Sequence, residues 1–322
     1  MDIFWLLLGL VLILVGANAL TDGASAVAKR WGVSDLVIGL TVVAFGTSAP
    51  ELAISLVSAF QGSAPLAIGN VVGSNIFNVL VIIGVVAMIK PIKVERSIMV
   101  NELPLVVLSS LALLAIGCGD LMGVTGEREL IRPEGIMLLL FFMIFMRYTF
   151  SQAKSTPSTD PTAENAAAKP EMPMWKAVVW VVGGLAALVY GGDRFVAGAS
   201  GIAASLGMSD ALIGLTIVAA GTSLPELATS ITAAIKGKTG IAIGNVIGSN
   251  IFNIFLVLGL TGTIMPLPFG GITEIDLLVM TLSALLFWGF SWKFAERTIT
   301  RWEGAILFLL YIAYITFQIL SL

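Results

Sequence analysis

Histidine is absent from this 322-residue sequence, and cysteine occurs once, at Cys118. Those two gaps exclude His-liganded zinc, an imidazole proton relay, an intrachain disulfide and any Cys/His nucleophile pair. Charge is scarce as well: 11% of residues are Asp, Glu, Lys or Arg, against about 25% in a soluble domain. The 17 basic and 20 acidic residues leave a net charge of -3, which argues against a nucleic-acid partner. What remains is apolar: 57% of residues are hydrophobic and the mean hydropathy is +1.00. A helical span needs about 20 apolar residues to cross a hydrocarbon core about 30 Å thick. Length and composition therefore predict an all-α membrane protein of about ten transmembrane helices. No basic cluster precedes the first apolar run, which predicts a retained span and not a cleaved signal peptide.

Apolar runs set against charge clusters and Gly/Pro breaks place spans near 3–28, 36–60, 66–89, 98–118 and 133–150. A second set follows near 175–204, 211–235, 241–264, 274–292 and 303–321. Between them, residues 151–174 are rich in Ala, Ser, Thr and Pro and cannot bury a core, so this stretch reads as a flexible linker between residues 1–150 and 175–322. The two halves are copies. GVSDLVIGLTVVAFGTSAPELAIS from Gly32 recurs as GMSDALIGLTIVAAGTSLPELATS from Gly207, and GNVVGSNIFN from Gly69 recurs as GNVIGSNIFN from Gly244. One ungapped offset of 175 relates both pairs, and about 30 of the 47 positions from Gly32 to Asn78 are identical. A weaker echo, ELIRPEG ending at Gly135 and TITRWEG ending at Gly304, has an offset of 169 and extends the repeat through the fifth span.

Five spans per copy oblige the second copy to enter the bilayer from the opposite side, giving two inverted repeats. The basic residues agree: 14 fall on one side, only Arg128 and Arg132 on the other, and Arg194 lies within a span. The positive-inside rule then predicts both termini outside and the central linker in the cytoplasm.

The second and seventh spans carry GTSAPE and GTSLPE well inside their apolar runs. A carboxylate at that depth costs about 2.5–3.5 kcal/mol on insertion scales, so Glu51 and Glu226 require compensation. Pro50 and Pro225 cannot donate to the carbonyls four residues earlier, at Gly46 and Gly221, and their rings open the helix there. Such breaks at matching places in two repeats mark a binding site. Thr47, Glu51 and Ser55 share a helix face with Ser48 close by, and Thr222, Ser223, Glu226 and Ser230 repeat the pattern. The third and eighth spans add Asn70, Ser74 and Asn78, then Asn245, Ser249 and Asn253. Gathered together, these side chains form an all-oxygen site with two carboxylates and no nitrogen or sulfur ligand. That is hard-cation chemistry, and calcium, which accepts about 6–8 oxygens in flexible geometry, suits it best, with sodium competing for the same oxygens.

GTSAPE with GNVVGSNIFN and GTSLPE with GNVIGSNIFN resemble the two alpha-repeats of the cation/calcium antiporter family, in its sodium/calcium exchanger branch, and the likeness covers nearly the whole chain. The resemblance implies ten helices in two inverted five-helix halves. It implies that Thr47, Ser48, Glu51, Ser74, Asn78, Thr222, Ser223, Glu226, Ser249 and Asn253 line the ion site, with the backbone carbonyls of Ala44 and Ala219. It further implies exchange of Ca2+ for Na+ by alternating access in a prokaryotic plasma (inner) membrane, with no covalent chemistry, no cofactor and no obligate protein partner beyond the bilayer. Members of the family often carry Asp at the position of Asn253, so the site here holds two carboxylates, which disfavours potassium co-transport. The proton/calcium branch usually replaces GTSxPE by a different Glu-containing sequence, and this chain's departure from that pattern favours sodium.

Other polar residues have plainer readings. Asp35 and Asp210 follow serines just before apolar runs and read as helix-start residues. Asn18 and Asp193, which are repeat equivalents, read as structural. Glu102, Glu274, Asp276 and Glu303 lie near span ends, where a carboxylate reaches the interface. Gly117 to Asp120 (GCGD) superficially resembles an intramembrane aspartyl protease motif but lacks a second intramembrane Asp of comparable placement. A cation channel is the stronger rival, since rings of Glu and carbonyls also build filters.

Overall fold

The computed structural model describes residues 1–61, 64–118, 128–155, 172–206, 219–293 and 297–321. The helices are α1 (Asp2–Trp31), α2 (Asp35–Thr47), α3 (Ala49–Phe60), α4 (Ala64–Ile89), α5 (Ile98–Gly117) and α6 (Arg132–Ser155) in the first half. They are α7 (Met174–Ser205), α8 (Ala219–Thr222), α9 (Leu224–Ile235), α10 (Thr239–Ile264), α11 (Glu274–Lys293) and α12 (Arg301–Ser321) in the second. Among the described residues eight helices are long and apolar enough to cross a membrane, and nine if α2 and α3, which meet at 41°, form one broken span. Most of linker 151–174, Asp210 with the start of the seventh predicted span, and Asp120 lie outside the described residues.

Local chemistry fixes the helix ends. Gly32 stops α1 at φ 66°, in the left-handed region where a side chain would be strained. Ser34 caps α2 by accepting the Val37 amide at 3.3 Å. Asp276 and Glu303 do not reach the interface as their positions suggested: each folds back to accept the amide three residues earlier, Thr273 at 2.8 Å and Thr300 at 2.7 Å. Those reciprocal Thr/acid caps open α11 and α12, and Asp276 Oδ1 also accepts the Tyr314 hydroxyl of α12 at 2.8 Å. Glu102 departs further from that expectation. It is buried inside the helix packing, where Tyr148 donates to it at 3.0 Å.

Contacts between the halves are reciprocal under the repeat offsets. Strand β1 (Ile92–Lys93) pairs antiparallel with β4 (Thr298–Ile299), and β2 (Glu129–Leu130) pairs with β3 (Leu267–Pro268). Each ladder therefore joins the loop after the third span of one half to the loop before the fifth span of the other. Helices α1 and α7 run antiparallel along their whole lengths: Asp2 approaches Gly198 and Gly201, and Gly23 approaches Ala177. They touch backbone to backbone. A Cβ on Gly16 would lie 2.8 Å from the carbonyl oxygen of Gly184, and one on Gly184 would meet Gly16 in return.

The enclosed centre of the molecule is α4 and α10, while α1, α6, α7 and α12 turn residues such as Leu14, Ile144, Val182 and Leu309 outward. Long helices with apolar outward faces satisfy their backbone internally, as a bilayer demands. The glycines predicted to admit a close neighbour do so in α10: Gly244 and Gly248 lie against the Leu36 and Leu40 carbonyls of α2. Gly73 in α4 has no described neighbour within 4 Å of a Cβ position, its equivalent partner segment falling among residues outside the description.

Candidate functional site

Pro50 and Pro225 sit in the first turns of α3 and α9, where a missing amide costs nothing. The break falls one step earlier, at Ser48 and Ser223, whose ψ values of 4° and 6° leave the helical range. Glu51 and Glu226 are thereby carried on the first turn of a new helix. The Ala44 carbonyl still accepts the Ser48 amide at 2.9 Å, with the Thr47 hydroxyl 3.4 Å away. One asparagine braces each break, in the same way in both halves. Asn70 donates to the Glu51 carbonyl at 3.3 Å and to Ser55 Oγ at 3.4 Å; Asn245 donates to the Glu226 carbonyl at 3.3 Å and to Ser230 Oγ at 3.0 Å.

Side chains from both halves converge on the carboxylates. Ser48 donates to Glu226 Oε1 at 3.2 Å, crossing between the halves, while Ser74 donates to Glu51 Oε1 at 3.5 Å. Thr47 donates to Asn245 Oδ1 at 3.0 Å. Ser223 and Ser249, one from each of the adjoining segments of the second half, keep buried hydroxyls without a hydrogen-bond partner. Thr47, Ser48, Glu51, Ser74, Asn78, Ser223, Glu226, Ser249 and Asn253 are all buried, as is Ala44. Thr222 is half-buried at the end of α8, and Ala219 begins that helix.

The polar atoms left over are informative. Glu51 Oε2, Glu226 Oε2, Asn78 Oδ1, Asn253 Oδ1, Ser223 Oγ and Ser249 Oγ are buried and accept or donate no hydrogen bond. An unsatisfied buried polar group costs about 1–3 kcal/mol, and more if charged. Six together amount to about 10 kcal/mol, comparable with the net stability of a whole domain. No cation offsets them: among the described residues four ion pairs occur, and none involves Glu51 or Glu226. Arg194 of α7 is instead paired with the adjacent Asp193 and lies over the rings of Trp5 and Tyr190. All six orphaned groups are carboxylate or amide oxygens, or hydroxyls that can turn a lone pair inward, which is a donor set suited to a hard cation.

Helical-face reasoning missed Asn75 and Asn250. Each follows the site serine by one residue and so lies off the Asn70/Ser74/Asn78 face, yet both are buried and bonded to site asparagines of the opposite half. Their identity in both copies of GSNIFN was the available signal. Thr229 Oγ1, also buried and orphaned, has Ile54 as its repeat equivalent and breaks the symmetry.

Comparison with known proteins reaches the whole chain. The family model described as sodium/calcium exchanger protein matches residues 1–151 and 176–320. The sodium/calcium exchanger MaX1 of Methanosarcina acetivorans is 35% identical over 344 residues, covering 96% of both chains. A candidate antiporter, CaxA of Alkalimonas amylolytica, is 41% identical over 317 residues, again covering 96% of each. The solved structure of the sodium-calcium exchanger NCX_Mj soaked with 2.5 mM Na+ and 0.1 mM Ca2+ superposes with a TM-score of 0.82 at 32% identity, over 98% of this chain and 97% of that one.

Proposed function

We propose, from the premise that this chain belongs to the sodium/calcium exchanger family, that it exchanges Ca2+ for Na+ by alternating access at a site between Glu51 and Glu226. The family consists of integral membrane transporters, not enzymes, and cation/calcium antiport is its activity. The observation that carries the finer reading is the set of six orphaned, buried polar atoms, drawn from both halves and centred on two carboxylates. We assign the transported ions to these groups together with Thr47, Ser48, Ser74, Thr222 and the carbonyls of Ala44 and Ala219.

Charge explains why exchange is obligatory. Glu51 and Glu226 give the empty site a charge of about -2, which cannot readily be enclosed in a low-dielectric interior. One Ca2+ or two Na+ neutralises it, and occupancy then licenses the change of access. A third Na+ on the neutral oxygens would leave one net positive charge and make the cycle electrogenic. A channel needs no such charge rule.

Ten spans arranged as two inverted five-helix units, residues 1–150 and 175–322 around a cytoplasmic linker at 151–174, complete the proposal. Supporting it are the antiparallel course of α1 and α7 and the reciprocal strand ladders, both consistent with a pseudo-two-fold axis lying in the membrane plane. The distribution of basic residues supports both termini outside, in a prokaryotic inner membrane. The test is calcium uptake into proteoliposomes of the purified protein with outward gradients of sodium, protons and potassium imposed singly. Sodium alone should drive uptake. Uptake with a proton gradient and none with sodium would replace the coupling ion, and uptake with no trans-side ion would make the protein a channel.

A further inference from the structure

An asparagine serves a cation only if its carbonyl oxygen, and not its NH2 group, points at the ion. The two ends have nearly the same shape, and a half-turn about the last side-chain bond exchanges them. An inward NH2 at Asn78 or Asn253 would place a donor beside a cation, so something must fix both amides. The fixing groups lie on the opposite half. Asn78 donates its Nδ2 to Asn250 Oδ1 at 3.0 Å, and Asn253 donates its Nδ2 to Asn75 Oδ1 at 3.1 Å. Asn75 is itself held, because its own Nδ2 donates to the Asn250 backbone carbonyl at 3.2 Å. All four side chains are buried, so turning any of them exchanges a made hydrogen bond for a buried, unpaired group. What this leaves free is Asn78 Oδ1 and Asn253 Oδ1, both buried and without a partner.

We infer that Asn75 and Asn250 are positioning residues that lock the two ion-facing asparagines oxygen-inward across the interface between the halves. The inference rests on the proposed ion site and adds a specificity rule to it. Each lock requires an N–H at position 78 or 253, which an ionised aspartate lacks. The lock therefore selects neutral amides and holds the site at two carboxylates. It also ties each ion ligand to the other half of the protein, so the site is complete only while α4 and α10 keep their register.

The crossed pattern is the testable feature. Calcium dissociation constants are measured by calorimetry on the purified full chain for Asn75→Ala, Asn250→Ala, Asn78→Ala, Asn253→Ala and their double combinations. Each lock alanine should weaken calcium binding about tenfold, the scale of one lost hydrogen bond in a buried site. Asn75→Ala combined with Asn253→Ala, and Asn250→Ala combined with Asn78→Ala, should weaken it little further than one change alone. The same-half pairs, Asn75 with Asn78 and Asn250 with Asn253, should multiply their effects. A merely structural role would not produce this crossing. If the alanine variants fail to fold, Asn75→Asp and Asn250→Asp keep an acceptor of the same shape. Nitrogen-15 spectra should then show the side-chain NH2 of Asn253 and Asn78, respectively, still protected from exchange. Tight calcium binding with crossed pairs that multiply, or unprotected NH2 groups in the folded parent, overturns the lock. A parent that binds no calcium overturns the ion site, and the lock with it.

Discussion

Replacing Glu51 by Gln keeps the shape and one ligand oxygen while removing a charge, and its consequence can be worked from the site. At a calcium–oxygen separation of about 2.4 Å and an effective dielectric constant of about 20, one carboxylate attracts Ca2+ by about 14 kcal/mol and Na+ by about 7 kcal/mol before desolvation. Most of that is offset, and removing one partner of a buried charge pair costs about 3–5 kcal/mol in practice. Calcium affinity should therefore fall by at least about a hundredfold, and sodium affinity by about the square root of that factor. The preference of the site shifts towards sodium as a result. A thermal-shift assay on purified protein reads both effects. At a calcium concentration about a thousandfold above the parent's dissociation constant the ion stabilises by about 4.1 kcal/mol, and a hundredfold-weaker variant retains about 1.4 kcal/mol. Without ions, Glu51→Gln should be the more stable protein, since a buried carboxylate with an unpartnered oxygen becomes a neutral amide. Glu226→Gln should behave alike. Calcium stabilisation equal to the parent's, or an unchanged calcium-to-sodium preference, would refute the assignment of that carboxylate as a ligand.

Other consequences test the frame around the site. Trp31 and Leu206 are repeat equivalents, both exposed at helix ends, and Cys118 is buried; a membrane-impermeant thiol reagent applied outside should label Leu206→Cys and spare Trp31→Cys, and equal labelling would sink the inverted topology. Gly184→Ala places a methyl carbon 2.6 Å from the Leu20 amide nitrogen, whereas Gly183→Ala meets nothing within 4 Å among the described residues. The first should cost about 1–3 kcal/mol of stability in denaturation and the second should be neutral or stabilising, so equal effects would contradict the α1–α7 seam. Asn253→Asp donates to Asn75 Oδ1 only while it carries a proton, so its calcium affinity should vary with pH differently from the parent's. Overlaying profiles would remove Asn253 from the ion cavity.

Much of this was legible in the sequence because a duplication states its own important positions twice. The GTSxPE breaks, the buried glutamates and the Ser74 and Ser249 faces follow from helical spacing and the chemistry of proline, and the predicted spans start within about two residues of described helices except the seventh, whose start lies outside the described residues. What spacing could not supply was contact across the halves. Asn75 and Asn250 lie off the face that their own helices present, and only the crossing of α4 and α10 gives them a role. The capping of α11 and α12 by Asp276 and Glu303 depends on a chain direction that composition near a span end does not reveal. Burial of Glu102 depends in the same way on Tyr148, 46 residues away.

The most direct test of the central claim is the position of the ion itself. Anomalous diffraction from calcium-soaked crystals of this protein, repeated over a series of sodium concentrations, should place calcium between Glu51 and Glu226, with Asn78 Oδ1 and Asn253 Oδ1 directed towards it. The signal should fade as sodium rises. A calcium peak elsewhere in the fold, or one between the two glutamates that sodium does not displace, would contradict the account.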